Sequence, residues 1–264
     1  MIHVTKTERL EEKLSKGEVL IGTHLSLPEP MIPEMIGLAG FDILWIDAEH
    51  NCLDKRDLAL LIMAANQTDM AVFVRVPCID ASFVKPLLDV GADGIIFPNI
   101  RSVEDARHAV EATQYPPCGI RGYGPGRVMT LYGVQGEQDY IHRISKKVWT
   151  IIQIEHYDTV DHLEEIMEVP GINMLCAGPC DLSGSLGKLA LVDDPECRHW
   201  YDLLVEKANK RGMPIGVSCG DSAAADWLRR GVNWINVGGD NGYIISGAIN
   251  MFNEMKALVS GIRG

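Results

Sequence analysis

In the run ILWIDAEHNC (43–52) an apolar stretch ends in Asp47, Glu49 and His50. Three further runs end in the same manner: AVFVRV near Arg75, WTIIQIE on Gln153 and Glu155, and INMLCAGPCDLS on Asp181. Charge at the end of a buried strand is costly unless it is paired or ligated. Gln153 and Glu155 are two residues apart, so on a strand they share one face. Asp181 stands at the mouth of the next apolar run, and two carboxylates so placed can hold one divalent ion. Their hard oxygens suit Mg²⁺ or Mn²⁺ better than a closed zinc site does, although Co²⁺ or Zn²⁺ could also enter. His50 follows Asp47 by three residues, which gives an acid/base imidazole an orienting carboxylate. Plainer roles also exist: Glu155 and Asp181 as helix caps or arginine partners, Arg75 as an ion-pair partner, His50 as a helix-entry residue.

These strand ends need elements that bring them together. Apolar or β-branched runs recur at 19–25, 41–47, 71–76, 94–99, 149–155, 172–178, 214–219 and 234–239. Between them lie helical patterns, several of which open on Asp or Ser and close on Gly. Eight strand–helix repeats in 264 residues predict an α/β fold, a single-domain (β/α)8 TIM barrel over residues 1–264. A charged amphipathic helix precedes the first strand and an amphipathic helix ends the chain. An open doubly wound sheet is the competing fold. Barrel enzymes keep their chemistry at the C-terminal ends of the strands, which is where the ionisable residues fall.

Composition narrows the function. With 47% hydrophobic residues the chain can bury a large core, and a net charge of −12 argues against a nucleic-acid surface. No signal-peptide core is present at the N-terminus, and no run reaches ~18 apolar residues, so no membrane partner is expected. Seven cysteines without a Cys-x-x-Cys pair read as reduced core residues of a cytoplasmic protein.

The ordered set GTHLSLPEP, GFDILWIDAEH, VRVP, LLDVGADGIIFPNI, YPPCGIRGYG, VWTIIQIE and AGPCDLSGSLG resembles the class II pyruvate-dependent aldolases of the HpcH/HpaI family. That family includes 4-hydroxy-2-oxoheptanedioate and 2-dehydro-3-deoxyglucarate aldolases, and the resemblance runs over nearly the whole chain. It implies that Glu155 and Asp181 are the metal ligands and that His50 works with Asp47 as an acid/base dyad. Arg75 then contacts the keto oxygen, Glu49 and Asp89 hold metal-bound waters, and Gln153 with the backbone at Cys180 and Asp181 contacts the pyruvate end. The resemblance also implies a homo-oligomer, commonly a hexamer, with C-terminal helices packed across subunits.

The chemistry suits these residue types. Cleaving a 4-hydroxy-2-oxo acid into pyruvate and an aldehyde takes the proton from the C4 hydroxyl while electrons flow into an enolate. A divalent ion and a fixed guanidinium stabilise the charge that builds on the keto oxygen. No lysine closes any of the strand runs, so a Schiff-base aldolase has little support. The sequence departs from the family in the Gly122–Tyr140 loop, which leaves the aldehyde open, and at Cys180, where a small Ala is common. Arg121 either contacts substrate or organises the loop, and VGGD (237–240) either binds phosphate or makes a tight turn. The competing functions are a CoA-thioester lyase of the citrate-lyase β-subunit-like branch, an oxaloacetate-decarboxylating relative, and a catalytically idle barrel scaffold. Retention of Asp47, His50, Arg75, Glu155 and Asp181 together argues against the scaffold.

Overall fold

Alternation of side chains along eight short strands decides the architecture. In the computed structural model, which describes residues 5–134 and 136–263, the strands are β1 (Leu20–Leu25), β2 (Ile43–Asp47), β3 (Ala71–Arg75), β4 (Gly94–Phe97), β5 (Trp149–Ile154), β6 (Ile172–Ala177), β7 (Ile215–Ser218) and β8 (Trp234–Gly239). Met1–Val4, Gln135 of the 122–140 loop and Gly264 lie outside the described residues. The strands close in sequence order, β8 pairing with β1, and every pairing is parallel. This is the (β/α)8 barrel that the eight repeats predict.

One set of alternating residues fills the interior: Ile43 and Trp45 of β2, Phe73 of β3, Trp149 and Ile151 of β5 and Trp234 of β8 are all buried in one cluster. The other set, such as Leu44, Ile46, Val72 and Val74, packs outward against the helices. Such a barrel is a filled core and not a pore. At its N-terminal end the helix Lys6–Ser15 buries Leu10 in the inner cluster and packs Leu14 against it. That helix starts from a capping box in which Thr5 and Glu8 satisfy each other's backbone amides. Asp54, Asp80, Ser102 and Asp194 cap later helices, and Gly91, Gly212 and Gly231 end three of them in the left-handed conformation.

One helical pattern differs from expectation. The segment 158–169 is not one helix but two short ones, Tyr157–Asp161 and Leu163–Met167. VGGD does not form an anion cradle: the carboxylate of Asp240 accepts the backbone N–H groups of Ser26, at 3.0 and 3.1 Å, and of Leu27, at 2.8 Å. A buried carboxylate that occupies those amides repels phosphate, and the segment is the end of β8 and the first residue of the last helix, tied by Asp240 to the loop after β1.

The last helix, Asp240–Arg263, leaves the barrel almost at once. Tyr243 donates or accepts a 2.6 Å hydrogen bond with Thr23, but Ile245, Ile249, Phe252, Met255 and Leu258 are exposed. Ile21 on β1 and Met31, Met35 and Leu38 on the following segment are exposed as well, so the outer face at the β8–β1 seam is bare. Among the described residues no helix is long and apolar enough to cross a membrane.

Candidate active site

Parallel strands in one closed barrel end on one rim, and register then sets which side chains meet. Asp47 and Arg75 lie opposite each other on β2 and β3. Arg75 Nε donates to Asp47 Oδ1 at 2.9 Å, and Arg75 Nη1 stands 3.0 Å from Glu49 Oε2, close enough for an ion pair but not aligned as a hydrogen bond. Asp47 also accepts the Glu49 backbone N–H at 3.1 Å and the Asn51 side-chain amide at 3.0 Å. Burial pushes Asp47 upward, but the hydrogen bond and charge of Arg75 outweigh it and hold the carboxyl below its ordinary range. Glu49 goes the other way, because burial exceeds the pull of Arg75 and His50, and Asp47 and Asp181 add like charge.

Across the rim, Glu155 is buried and accepts the Asn99 backbone N–H at 2.8 Å. Asn99 presents that amide from a left-handed conformation, φ +54°, which Asn tolerates better than most residues. Glu155 is pushed up to about 7, first by burial and then by the charges of Glu49 and Asp181, with Asn99 and Arg75 opposing. Gly178 makes room for it: a Cβ there would stand 2.6 Å from Glu155 Cγ and 3.1 Å from Gln153 Nε2. Gln153 is buried with its Oε1 unpartnered, and Asp181 lies exposed in the first turn of the helix Pro179–Ser185.

The donor set fits a hard divalent cation. Asp47, Glu49, Glu155 and Asp181 gather about one guanidinium, so the rim carries more negative charge than Arg75 balances, and the spare donors are carboxylate and amide oxygens. Among the described residues no three His, Cys, Asp or Glu side chains converge on one point. A cation held by Glu155 and Asp181 would therefore complete its shell from water or substrate.

The expected grouping is revised in two places. His50 is not in hydrogen-bond contact with Asp47, whose oxygens are taken by Arg75, Glu49 and Asn51; the imidazole is 63% exposed, and its Nε2 lies 3.6 Å from Glu49 Oε2. Asp89 is not brought to this rim. It sits near the end of the helix Ala81–Val90, which runs back from the rim to the N-terminal side of β4, and it binds Arg121 at 2.8 Å. Arg121 is buried, bonds Tyr140 at 3.0 Å and lies 4.5 Å above the Tyr115 ring, so it organises the loop. Cys180 is exposed as a residue, and partial desolvation of its thiol together with the charge of Asp181 pushes its pKa up, which disfavours a nucleophilic thiolate. Sequence reasoning missed Asn99, Gly178, Trp45, His24 and Ser218. His24 and Ser218 carried a readable signal, since each is a polar residue near a strand end.

The family model described as HpcH/HpaI aldolase/citrate lyase matches residues 20–246. The 5-keto-4-deoxy-D-glucarate aldolase of Klebsiella pneumoniae subsp. pneumoniae is 32% identical over 249 residues, 94% of this chain and 96% of that protein. A solved HpcH/HpaI aldolase/citrate lyase family protein from Burkholderia cenocepacia J2315 is 32% identical at a TM-score of 0.85, covering 94% of this chain and 99% of that one. A solved citrate synthase, SbnG, is 28% identical at a TM-score of 0.81, covering 95% and 98%.

The buried pair yields a stability prediction. Asp47→Asn leaves Arg75 without its aligned partner and should lower unfolding free energy at pH 7 by roughly 3 kcal/mol in urea titration. Because the folded pKa of Asp47 is depressed, its contribution is present above the unfolded value and lost as pH falls through the folded one. The gap between variant and wild type should therefore persist to pH values below about 4 and close only beneath that. Equal stability at pH 7 would show that Arg75 does not depend on Asp47.

Proposed function

The chain belongs to the HpcH/HpaI aldolase/citrate lyase family and is a carbon–carbon lyase, and from that premise we propose that it is a metal-dependent aldolase that cleaves or forms 4-hydroxy-2-oxo acids, exchanging them with pyruvate and an aldehyde. The observation that carries the reading is the excess of carboxylates around Arg75 at the barrel rim. Glu155 and Asp181 would hold the cation, with Mg²⁺ or Mn²⁺ as the best match and Co²⁺ or Zn²⁺ as alternatives. When bound, the ion supplies Lewis-acid polarisation of the keto group.

The chain's own residues do the rest. Backbone N–H groups at Cys180 and Asp181, in a first helical turn and so without intrahelical partners, receive the carboxylate of the 2-oxo acid, and the Nε2 amino group of Gln153 orients the same end. Arg75, fixed by Asp47 and Glu49, aims its remaining N–H groups at the keto oxygen. His50 takes the C4 hydroxyl proton as the C3–C4 bond breaks, and the bond's electron pair passes into the C2–C3 enolate, which is then protonated at C3 to give pyruvate. Glu49, beside the imidazole, serves as its orienting acid, while Asp47 acts through Arg75. This assignment replaces the Asp47–His50 dyad as the working arrangement. The likeness to a citrate synthase supports a second reading, in which the enolate of an acetyl thioester adds to oxaloacetate and water then releases the thiol; formation of citrate from an acetyl thioester and oxaloacetate, read by mass spectrometry, separates the two.

We further propose a homo-oligomer, with the hexamer as the expected order, in which a second copy covers the exposed last helix and the bare β8–β1 seam. Asp89 can reach a rim of this kind only from a neighbouring copy. Seven free cysteines suit a reducing, cytoplasmic setting.

Exchange of the pyruvate methyl protons into D2O tests the enolate directly. Chelation should abolish exchange and added Mg²⁺ or Mn²⁺ restore it, and Glu155→Gln should lose both metal binding and exchange; full exchange in metal-free protein would sink the metal assignment. His50→Ala should keep metal and pyruvate binding but lose about 10²–10⁴-fold in aldol cleavage. Normal cleavage, or loss of metal in place of catalysis, would remove His50 from the proton transfer. For the assembly, light scattering of wild type should give a multiple of the 29.1 kDa chain, and Ile245→Asp with Phe252→Asp should reduce it. A monomeric wild type would refute the covering copy.

A further inference from the structure

Two contacts hold the Arg75 guanidinium along its edges, Asp47 at Nε and Glu49 at Nη1. Edge contacts leave a planar group free to tilt about the line that joins them. A third contact meets its face: the Arg75 guanidinium carbon lies 5.2 Å from the centroid of the Trp45 ring. Trp45 is fully buried in the inner cluster, two residues before Asp47 and on the same side of β2. Its indole is in turn packed against His24 of β1, with ring centroids 4.9 Å apart and planes at 52°.

His24 is itself tied down. Its Nε2 lies 2.8 Å from Ser218 Oγ, which ends β7, and the imidazole reaches there across β8. The crossing works because β8 carries no side chain at Gly239. Gly239 is in register with His24, and a Cβ on it would stand 3.2 Å from the His24 Cβ. Burial and the charge of Arg75 keep the imidazole neutral, its pKa drawn down to about 4, so it adds no repulsion beside the guanidinium.

We propose that Trp45 is a positioning residue for Arg75, setting the tilt of the guanidinium, and that His24 and Ser218 lock the indole in place. The contact chain Ser218–His24–Trp45–Arg75 thus runs from β7 around to β3, and it aims the N–H groups that the acids leave free. The inference rests on the assignment of Arg75 to the keto oxygen made above. A cation on the face of a desolvated indole is a stronger and more directional contact than an aliphatic packing partner gives, and small misplacements of a charge-stabilising group are felt in turnover.

The test is pyruvate methyl-proton exchange with saturating Mg²⁺, read as kcat and KM separately. Trp45→Leu should lower kcat roughly ten- to hundredfold with KM changed less than about twofold, while Trp45→Phe, which keeps an aromatic face, should recover most of the loss. His24→Ala and Ser218→Ala should each lower kcat about three- to tenfold, and His24→Gln, which keeps a donor for Ser218, should restore part of it. The double variant His24→Ala/Trp45→Leu should be no slower than Trp45→Leu alone, because His24 acts through the indole. If Trp45→Leu does not fold, the Trp45→Phe, His24 and Ser218 series carries the same comparison. Wild-type kcat in His24→Ala together with equal rates for Trp45→Leu and Trp45→Phe would overturn the proposal, as would additive losses in the double variant. Loss of exchange in Arg75→Lys with unchanged Trp45 variants would overturn this inference alone. No exchange in the wild type would overturn the aldolase reading and this inference with it.

Discussion

A guanidinium carried to the end of an apolar strand must be neutralised where it stands, and the rest of the rim follows from that requirement. β3 reads Ala-Val-Phe-Val-Arg, with no polar side chain before Arg75. The parallel register with β2 supplies Asp47 directly opposite, and Glu49 follows two residues later in the chain. Two acids more than neutralise one guanidinium, and Glu155 and Asp181 add further negative charge in the same space. The energetics of the rim are then those of an incomplete ion cluster. Its acids are drawn in opposite directions, Asp47 down and Glu49 and Glu155 up, because among the described residues only Asp47 has the aligned contact with Arg75.

Backbone conformation finishes what register begins. Asn99 turns its N–H toward Glu155 from a left-handed conformation, and the absence of a side chain at Gly178 leaves the volume in which that carboxylate and Gln153 lie. Any L-residue at 178 would put a methylene within 2.8 Å of Glu155 Oε1 and displace it. The short helix Pro179–Ser185 then begins at the rim itself, which brings Asp181 and two unpaired amides to the same place. None of these features strengthens the barrel. They are local costs accepted at the rim of a core whose stability comes from the two apolar layers beneath it.

The strands and most helix ends were legible because they rest on patterns with a short physical range: continuous apolar runs, Asp and Ser caps, and glycine at helix ends. Residues such as Asp47, Arg75, Glu155 and Asp181 were legible as a group because charge after an apolar run is conspicuous in any sequence. What sequence spacing could not deliver is contact. The three-residue step from Asp47 to His50 fits a dyad on paper, but Arg75, 28 residues further along, takes Oδ1 of Asp47 across the strand pair and Asn51 takes Oδ2. Asp89 lies away from the rim of its own barrel for a related reason, since a helix that follows a strand runs back down the barrel and carries its last residues away from the rim. Trp45 looked like ordinary core, which it is; only the structure shows that one face of it meets a guanidinium.

The two surfaces of β1 connect the rim to the exposed outside of the barrel. Its inward residues are Leu20, Gly22 and His24, the last touching Trp45 and Ser218. Its outward residues include Ile21, left bare, and Thr23, bonded to Tyr243 at the root of the last helix. Asp240, one residue past β8, ties that same root to the backbone of Ser26 and Leu27 just after β1 ends. Adjacent residues on a strand point to opposite faces, so a shift of β1 that relieves the outside must move the inside by the same amount. A second copy seated on the bare seam would therefore press on the strand from which His24 reaches across to β7. The apolar exterior and the charged rim, which share no side chain, meet on that one strand.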